Sequence, residues 1–161
     1  MTSAADCLFM RAALDEAQKA FDDGEVPVGA VAVENGVIIA RARNRVEKKT
    51  SVSAHAEIEL LRELEKIRGD WRMNGIAVYV TKEPCPMCAG ALVLARVDAI
   101  VFGAGDPAFG GCGGAVSIPE ISGALSHPQI RSGVEADAAA GMLRAFFRAR
   151  RSEKISSPQN L

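Results

Sequence analysis

Residues 76–102 restrict the fold more than any other stretch. The run Ile76-Ala77-Val78-Tyr79-Val80 is apolar and strand-forming, residues 87–95 are rich in alanine and leucine, and Ala99-Ile100-Val101-Phe102 is a second apolar strand signal. A strand, a helix and a strand in this order form a β-α-β unit, with parallel strands and a right-handed crossover. Upstream, residues 28–33 and 37–42 flank Glu34-Asn35-Gly36, a hairpin turned at Asn-Gly. Helices are expected at 5–21, where Phe9, Ala13, Ala17 and Phe21 recur at helical spacing before Gly24, at 54–66, and at 135–150, with a short strand at 129–132. The class is therefore α/β.

With 161 residues, 48% of them hydrophobic, the chain holds a core for one domain, read as 1–154 with a flexible tail at 155–161. Nothing approaches the roughly 20 consecutive apolar residues of a membrane span, and the N-terminus lacks a basic segment followed by an apolar run. A cytoplasmic protein with no membrane partner is expected. A net charge of −1 gives no global attraction to nucleic acid. Arg144, Arg148, Arg150, Arg151 and Lys154 still concentrate positive charge near the C-terminus, as a phosphate-binding surface or as an ordinary solvated helix face.

The chemistry concentrates in His55-Ala56-Glu57 and Pro84-Cys85-Pro86-Met87-Cys88. Four cysteines without a secretion signal favour metal binding over disulfides, and Cys7 and Cys112 stay unassigned. One imidazole and two thiolates make three ligands, His55, Cys85 and Cys88, the number that leaves a catalytic zinc an open position for water. That water reaches hydroxide near neutral pH, and Glu57 is then the catalytic general base. His55 and Glu57 fall in the first turn of one helix, where free N–H groups and the helix dipole favour an ionised carboxylate. Pro84 and Pro86 stiffen the turn that delivers Cys85 and Cys88 to the next helix.

These motifs resemble the zinc-dependent cytidine and deoxycytidylate deaminase superfamily, whose H-x-E and P-C-x-x-C signature is a general one. Glu25-Val26-Pro27-Val28-Gly29-Ala30, Ala54-His55-Ala56-Glu57-Ile58, Glu83 to Ala91, Val101-Phe102-Gly103-Ala104 and Phe146 to Arg151 are similar to the bacterial tRNA-specific adenosine deaminases. The resemblance implies a three-layer fold with a central mixed sheet flanked by helices. It also implies one Zn2+ per subunit on His55, Cys85 and Cys88, Glu57 as proton shuttle, and substrate contacts from Asn44, Asp106 and Phe147. On position alone Asn44 is a turn residue, Asp106 starts a turn before Pro107, and at least one of Phe146 and Phe147 belongs in the core. Ser51-Val52-Ser53 departs from the Asp-Pro-Thr usual in that branch, and the loop around Asp106 lacks the branch's usual basic residues.

The expected activity is hydrolytic deamination of adenosine to inosine at the wobble position of a tRNA anticodon stem-loop, with an unpaired base turned into the pocket. The alternative is a deaminase of a free nucleobase or nucleoside such as guanine, cytosine or cytidine. A non-catalytic zinc scaffold is disfavoured by Glu57 and the vacant ligand position. The resemblance implies a homodimer, for which residues 89–95 offer a small-residue helix face that would equally suit packing on the sheet.

Overall fold

The computed structural model describes residues 2–156 and begins with α1 (Ala4–Asp22). Ser3 and Asp6 close its N-terminus reciprocally, the Ser3 hydroxyl accepting from Asp6 N–H at 3.0 Å and the Asp6 carboxylate accepting from Ser3 N–H at 3.2 Å. The hairpin forms as β1 (Gly29–Glu34) and β2 (Val37–Arg43), with Asn35 and Gly36 at φ 50° and 76°. Then follow α2 (Val46–Lys49), α3 (Ala56–Arg68), β3 (Ile76–Lys82), α4 (Pro86–Ala95), β4 (Ala99–Ala104), a 3-10 turn at Ile118–Glu120, β5 (Gln129–Arg131) and α5 (Ala136–Ser156).

The strands order as β2-β1-β3-β4-β5. β1 is antiparallel to β2 and β3, whereas β3, β4 and β5 are parallel, so the sheet is mixed. Side chains alternate across it. Ala30, Ala32, Val78, Val80, Ile100 and Phe102 join Leu60, Leu64 and Leu92 from α3 and α4 in one core. Val31, Val33, Tyr79 and Val101 meet Met10 and Ala13 of α1 and Val134 before α5 on the other face. Because the central strands are apolar on both faces, each face needs a cover, and the result is three layers. Each fully buried Leu or Ile contributes about 1.5–3 kcal/mol.

Two segments differ from the sequence expectation. α2 is too short to show periodicity; it exists because the buried Glu25 carboxylate accepts the N–H groups of Glu47 and Lys48 at 3.1 and 2.7 Å, satisfying donors that a helix start leaves free. α5 runs through Ser156, so the expected tail boundary at 155 falls inside a helix. The rest of that tail, 157–161, lies outside the described residues.

Candidate active site

α3 and α4 start side by side beyond the carboxyl end of β3, and their N-termini carry the H-x-E and C-x-x-C residues. His55 is the N-cap of α3 with extended backbone (φ −69°, ψ 154°), and its ring makes no capping bond. Cys85 is the N-cap of α4, Pro86 fixes the first helical position, and Cys88 completes the first turn. The ligating atoms of His55, Cys85 and Cys88 all lie within 4.8 Å of one another.

Their spacing fits zinc. Ordinary Zn–S and Zn–N bond lengths at tetrahedral angles place a sulfur and a nitrogen about 3.6 Å apart. His55 Nδ1 stands 3.7 Å from Cys85 Sγ and 3.5 Å from Cys88 Sγ. The hydrogen bond from Cys88, helped by the His55 ring, brings the Cys85 thiol down to about 4 against the opposing effect of burial. Cys85 and burial push the Cys88 thiol up, and the hydrogen bond to Cys85 raises His55. The trio thus holds negative charge poorly on two sulfurs at once, a frustration that a divalent cation relieves.

Beside these residues lies a cavity of about 370 Å³ lined by His55, Glu57, Cys85, Asn44, Lys82 and Phe147, with Glu25, Glu83, Phe109 and several valines completing the wall. Glu57 is 4% exposed, and burial raises its carboxyl above the ordinary range despite its own backbone N–H and the His55 charge. Asn44 is also buried. Its Nδ2 donates to the Val26 carbonyl at 3.3 Å, which fixes the amide orientation and leaves Oδ1 buried without a partner among the described residues. An acceptor left so beside a cavity is set to receive a donor from a ligand.

Phe147 reaches the cavity wall from α5 while its neighbour Phe146 is buried against Phe21, ring centroids 5.5 Å apart. The expectation that one of the pair enters the core is met. Asp106 stands in the loop that follows β4. It is not among the lining residues; its carboxylate pairs with the Lys82 ammonium and accepts the N–H groups of Ala108 and Phe109 at 3.1 and 3.0 Å. The reason is that β3 ends with Lys82 directly alongside it. Lys82 also supplies the basic group that the loop sequence lacks, which no local pattern could announce. Arg150 is likewise withdrawn from the basic cluster, bonded to the Gly24 carbonyl and lying 5.2 Å over the Phe146 ring.

Glu83 carries no sequence expectation of its own, although it adjoins the cysteine motif. It is 3% exposed and accepts the N–H groups of Asp106, Cys112 and Gly114 at 2.8, 3.0 and 2.8 Å. A Cβ on Gly110 would stand 2.2 Å from the Glu83 carboxyl carbon, so the glycines of this segment make room for a carboxylate. An acid beside the metal motif, followed later by a run of glycines, is the signal that would have found it.

The MafB19-like deaminase family matches residues 5–151. The chain is 48% identical over 157 residues to the tRNA-specific adenosine deaminase of Bacillus subtilis, covering 97% of each. A structure described for A-to-I editing by tRNA:A34 deaminases at the wobble position of transfer RNA superposes with a TM-score of 0.81 at 38% identity, over 84% of this chain and 98% of the other. The guanine deaminase of Bacillus subtilis is also similar, at 35% identity and a TM-score of 0.58, over 61% of this chain and 63% of that one.

Proposed function

The chain belongs to the MafB19-like deaminase family, and from its likeness to tRNA-specific adenosine deaminases we infer that it hydrolyses adenosine to inosine at the wobble position of a tRNA anticodon loop. The observation that carries this reading is the joint one: near-complete coverage of a tRNA-specific relative, with His55, Cys85 and Glu57 lining one cavity and Cys88 clustered with His55 and Cys85 beside it. The Bacillus subtilis guanine deaminase matches at 35% identity over 61% of this chain, against 48% over 97% for the tRNA-specific relative, and the higher identity over more of the chain favours the tRNA substrate over a free base.

His55, Cys85 and Cys88 would hold one Zn2+ per subunit, and zinc bound there would lower the pKa of a water molecule toward neutrality. Glu57, buried at the same cavity, would carry one proton of the attacking water to the ring nitrogen beside C6, and then the second, from the added hydroxyl, to the amino group that departs as ammonia. Asn44 Oδ1 accepts from an N–H of the bound nucleotide and so holds the ring against Glu57. The apolar wall of Val26, Val28 and Phe147 excludes water from the face of the base. Asp106 acts through Lys82 and Phe109, which it holds at the cavity mouth.

Arg144, Arg148 and Arg151 border a shallow depression of about 320 Å³ that shares Phe147 with the catalytic cavity, placing positive charge where a phosphate backbone leaves the site. A homodimer is supported by the outer face of α3 and α4, where Trp71, Leu94 and Leu125 are exposed around a groove and Gly90 meets nothing within 4 Å. No described helix is long and apolar enough to cross a membrane. A tRNA substrate is consistent with residence in the cytoplasm.

Supplying an anticodon stem-loop and, separately, free guanine, cytosine, cytidine and adenosine, while following ammonia and inosine, tests the reading. Turnover of the stem-loop is expected. Turnover of free bases alone overturns it, and a Glu57→Gln protein that keeps its zinc and its full rate overturns the proton-transfer role.

A further inference from the structure

Phe109 stands out at the mouth of the cavity. It lines the same wall as Phe147, yet 64% of it is exposed, and it forms no ring pair among the described residues. A single exposed ring is ordinary on a protein surface, but one that also lines the cavity of the catalytic residues is placed to be covered by what binds there. Its backbone is tightly held. Phe109 N–H donates to the Asp106 carboxylate at 3.0 Å, the next residue's N–H donates to the Asp106 carbonyl at 2.8 Å, and Gly110 abuts the buried Glu83 carboxylate. The ring therefore projects from an anchored turn, at small further cost in conformational entropy.

Resting on the tRNA reading above, we propose that Phe109 is a specificity-determining residue whose ring stacks on the base next to the target adenosine. Three features of the site choose this occupant. The ring is continuous with the catalytic cavity, so it meets whatever adjoins the bound nucleotide. Lys82 lines the same cavity with its ammonium held beside it by Asp106, where it faces the phosphate that joins the two nucleotides. Aromatic platforms beside a positive charge are the general means of gripping unpaired nucleic acid, and a free nucleoside has no second base to place there. Phe147, from α5, brings a second aromatic ring to the same cavity.

Steady-state kinetics on the anticodon stem-loop with Phe109→Ala, Phe109→Leu, Phe109→Tyr and Phe109→Trp test this. Stacking of one base corresponds to a rise in KM on the order of 10- to 100-fold for Phe109→Ala, with kcat changed far less. Phe109→Leu loses most of the same affinity, while the aromatic variants retain it. A stem-loop carrying 2-aminopurine beside the target shows fluorescence quenching on binding, and Phe109→Ala abolishes that quenching. If Phe109→Leu matches the native KM, or Phe109→Ala leaves KM and quenching unchanged, the stacking role is overturned while the tRNA reading stands. If Phe109→Ala instead changes the subunit stoichiometry in sedimentation, the ring is a subunit contact and the proposal fails. A native protein inactive on the stem-loop overturns the tRNA reading and this proposal together.

Discussion

Glu83→Gln should destabilise the protein by about 2–4 kcal/mol without altering its shape. One carboxylate oxygen accepts from Cys112 and Gly114, and the other accepts from Asp106. An amide can present its carbonyl to only one side. Facing Cys112 and Gly114 it keeps two bonds but loses their charge assistance, about 1 kcal/mol each, and it turns an NH2 group toward the Asp106 N–H, costing about 2 kcal/mol more. The cheaper burial of an amide offsets part of this sum. For a chain of this length the melting temperature should fall by about 5–15 °C. Urea titration at pH 7, read by midpoint at unchanged slope, measures it directly. Gly110→Ala pushes a Cβ into the same carboxylate and should cost a comparable amount. Because Glu83→Ala vacates that space, the double variant Glu83→Ala with Gly110→Ala should fall short of the summed losses by at least about 1 kcal/mol. A Glu83→Gln protein within about 0.5 kcal/mol of native, or strict additivity in the pair, would refute the assignment of Glu83 as the anchor of this loop.

Three other expectations can be checked separately. Asn44→Ala removes the unpaired Oδ1 from the cavity and should lower kcat/KM on the stem-loop about 10- to 100-fold, measured by inosine formation, with a loss of about 1–2 kcal/mol in urea stability for the severed bond to the Val26 carbonyl. Burial alone would raise the Asp6 carboxyl, but the Tyr79 hydroxyl at 2.8 Å, the Ser3 groups and Arg131 outweigh it and hold it below its ordinary 3.8. A depressed folded value means that the stability it contributes is complete above pH 3.8 and is lost as pH falls through the folded value, so the gap between native and Asp6→Asn in urea midpoints should be full at pH 7 and shrink from pH 4 toward pH 2. Replacing Arg144, Arg148 and Arg151 by Gln should flatten the logarithmic salt dependence of stem-loop binding by about 0.7 for each phosphate that is no longer neutralised, and an unchanged slope would place the RNA elsewhere.

Elements whose signals are local could be read from the chain alone. Continuous apolar runs specified β1, β3 and β4, the Asn35-Gly36 pair set the hairpin, and the spacing of His55, Cys85 and Cys88 pointed to the cluster that the fold brings together, because residue type and offset survive as a linear pattern. The surroundings of that chemistry took shape only in three dimensions. Lys82 answers Asp106 across 24 positions, Glu83 gathers N–H groups from as far as Gly114, and Glu25 starts α2 from more than 20 residues away. Long-range pairing of this kind leaves no period to read. Whether Phe146 or Phe147 faces the cavity depends on how α5 is rotated against α1 and the sheet, and packing alone sets that rotation.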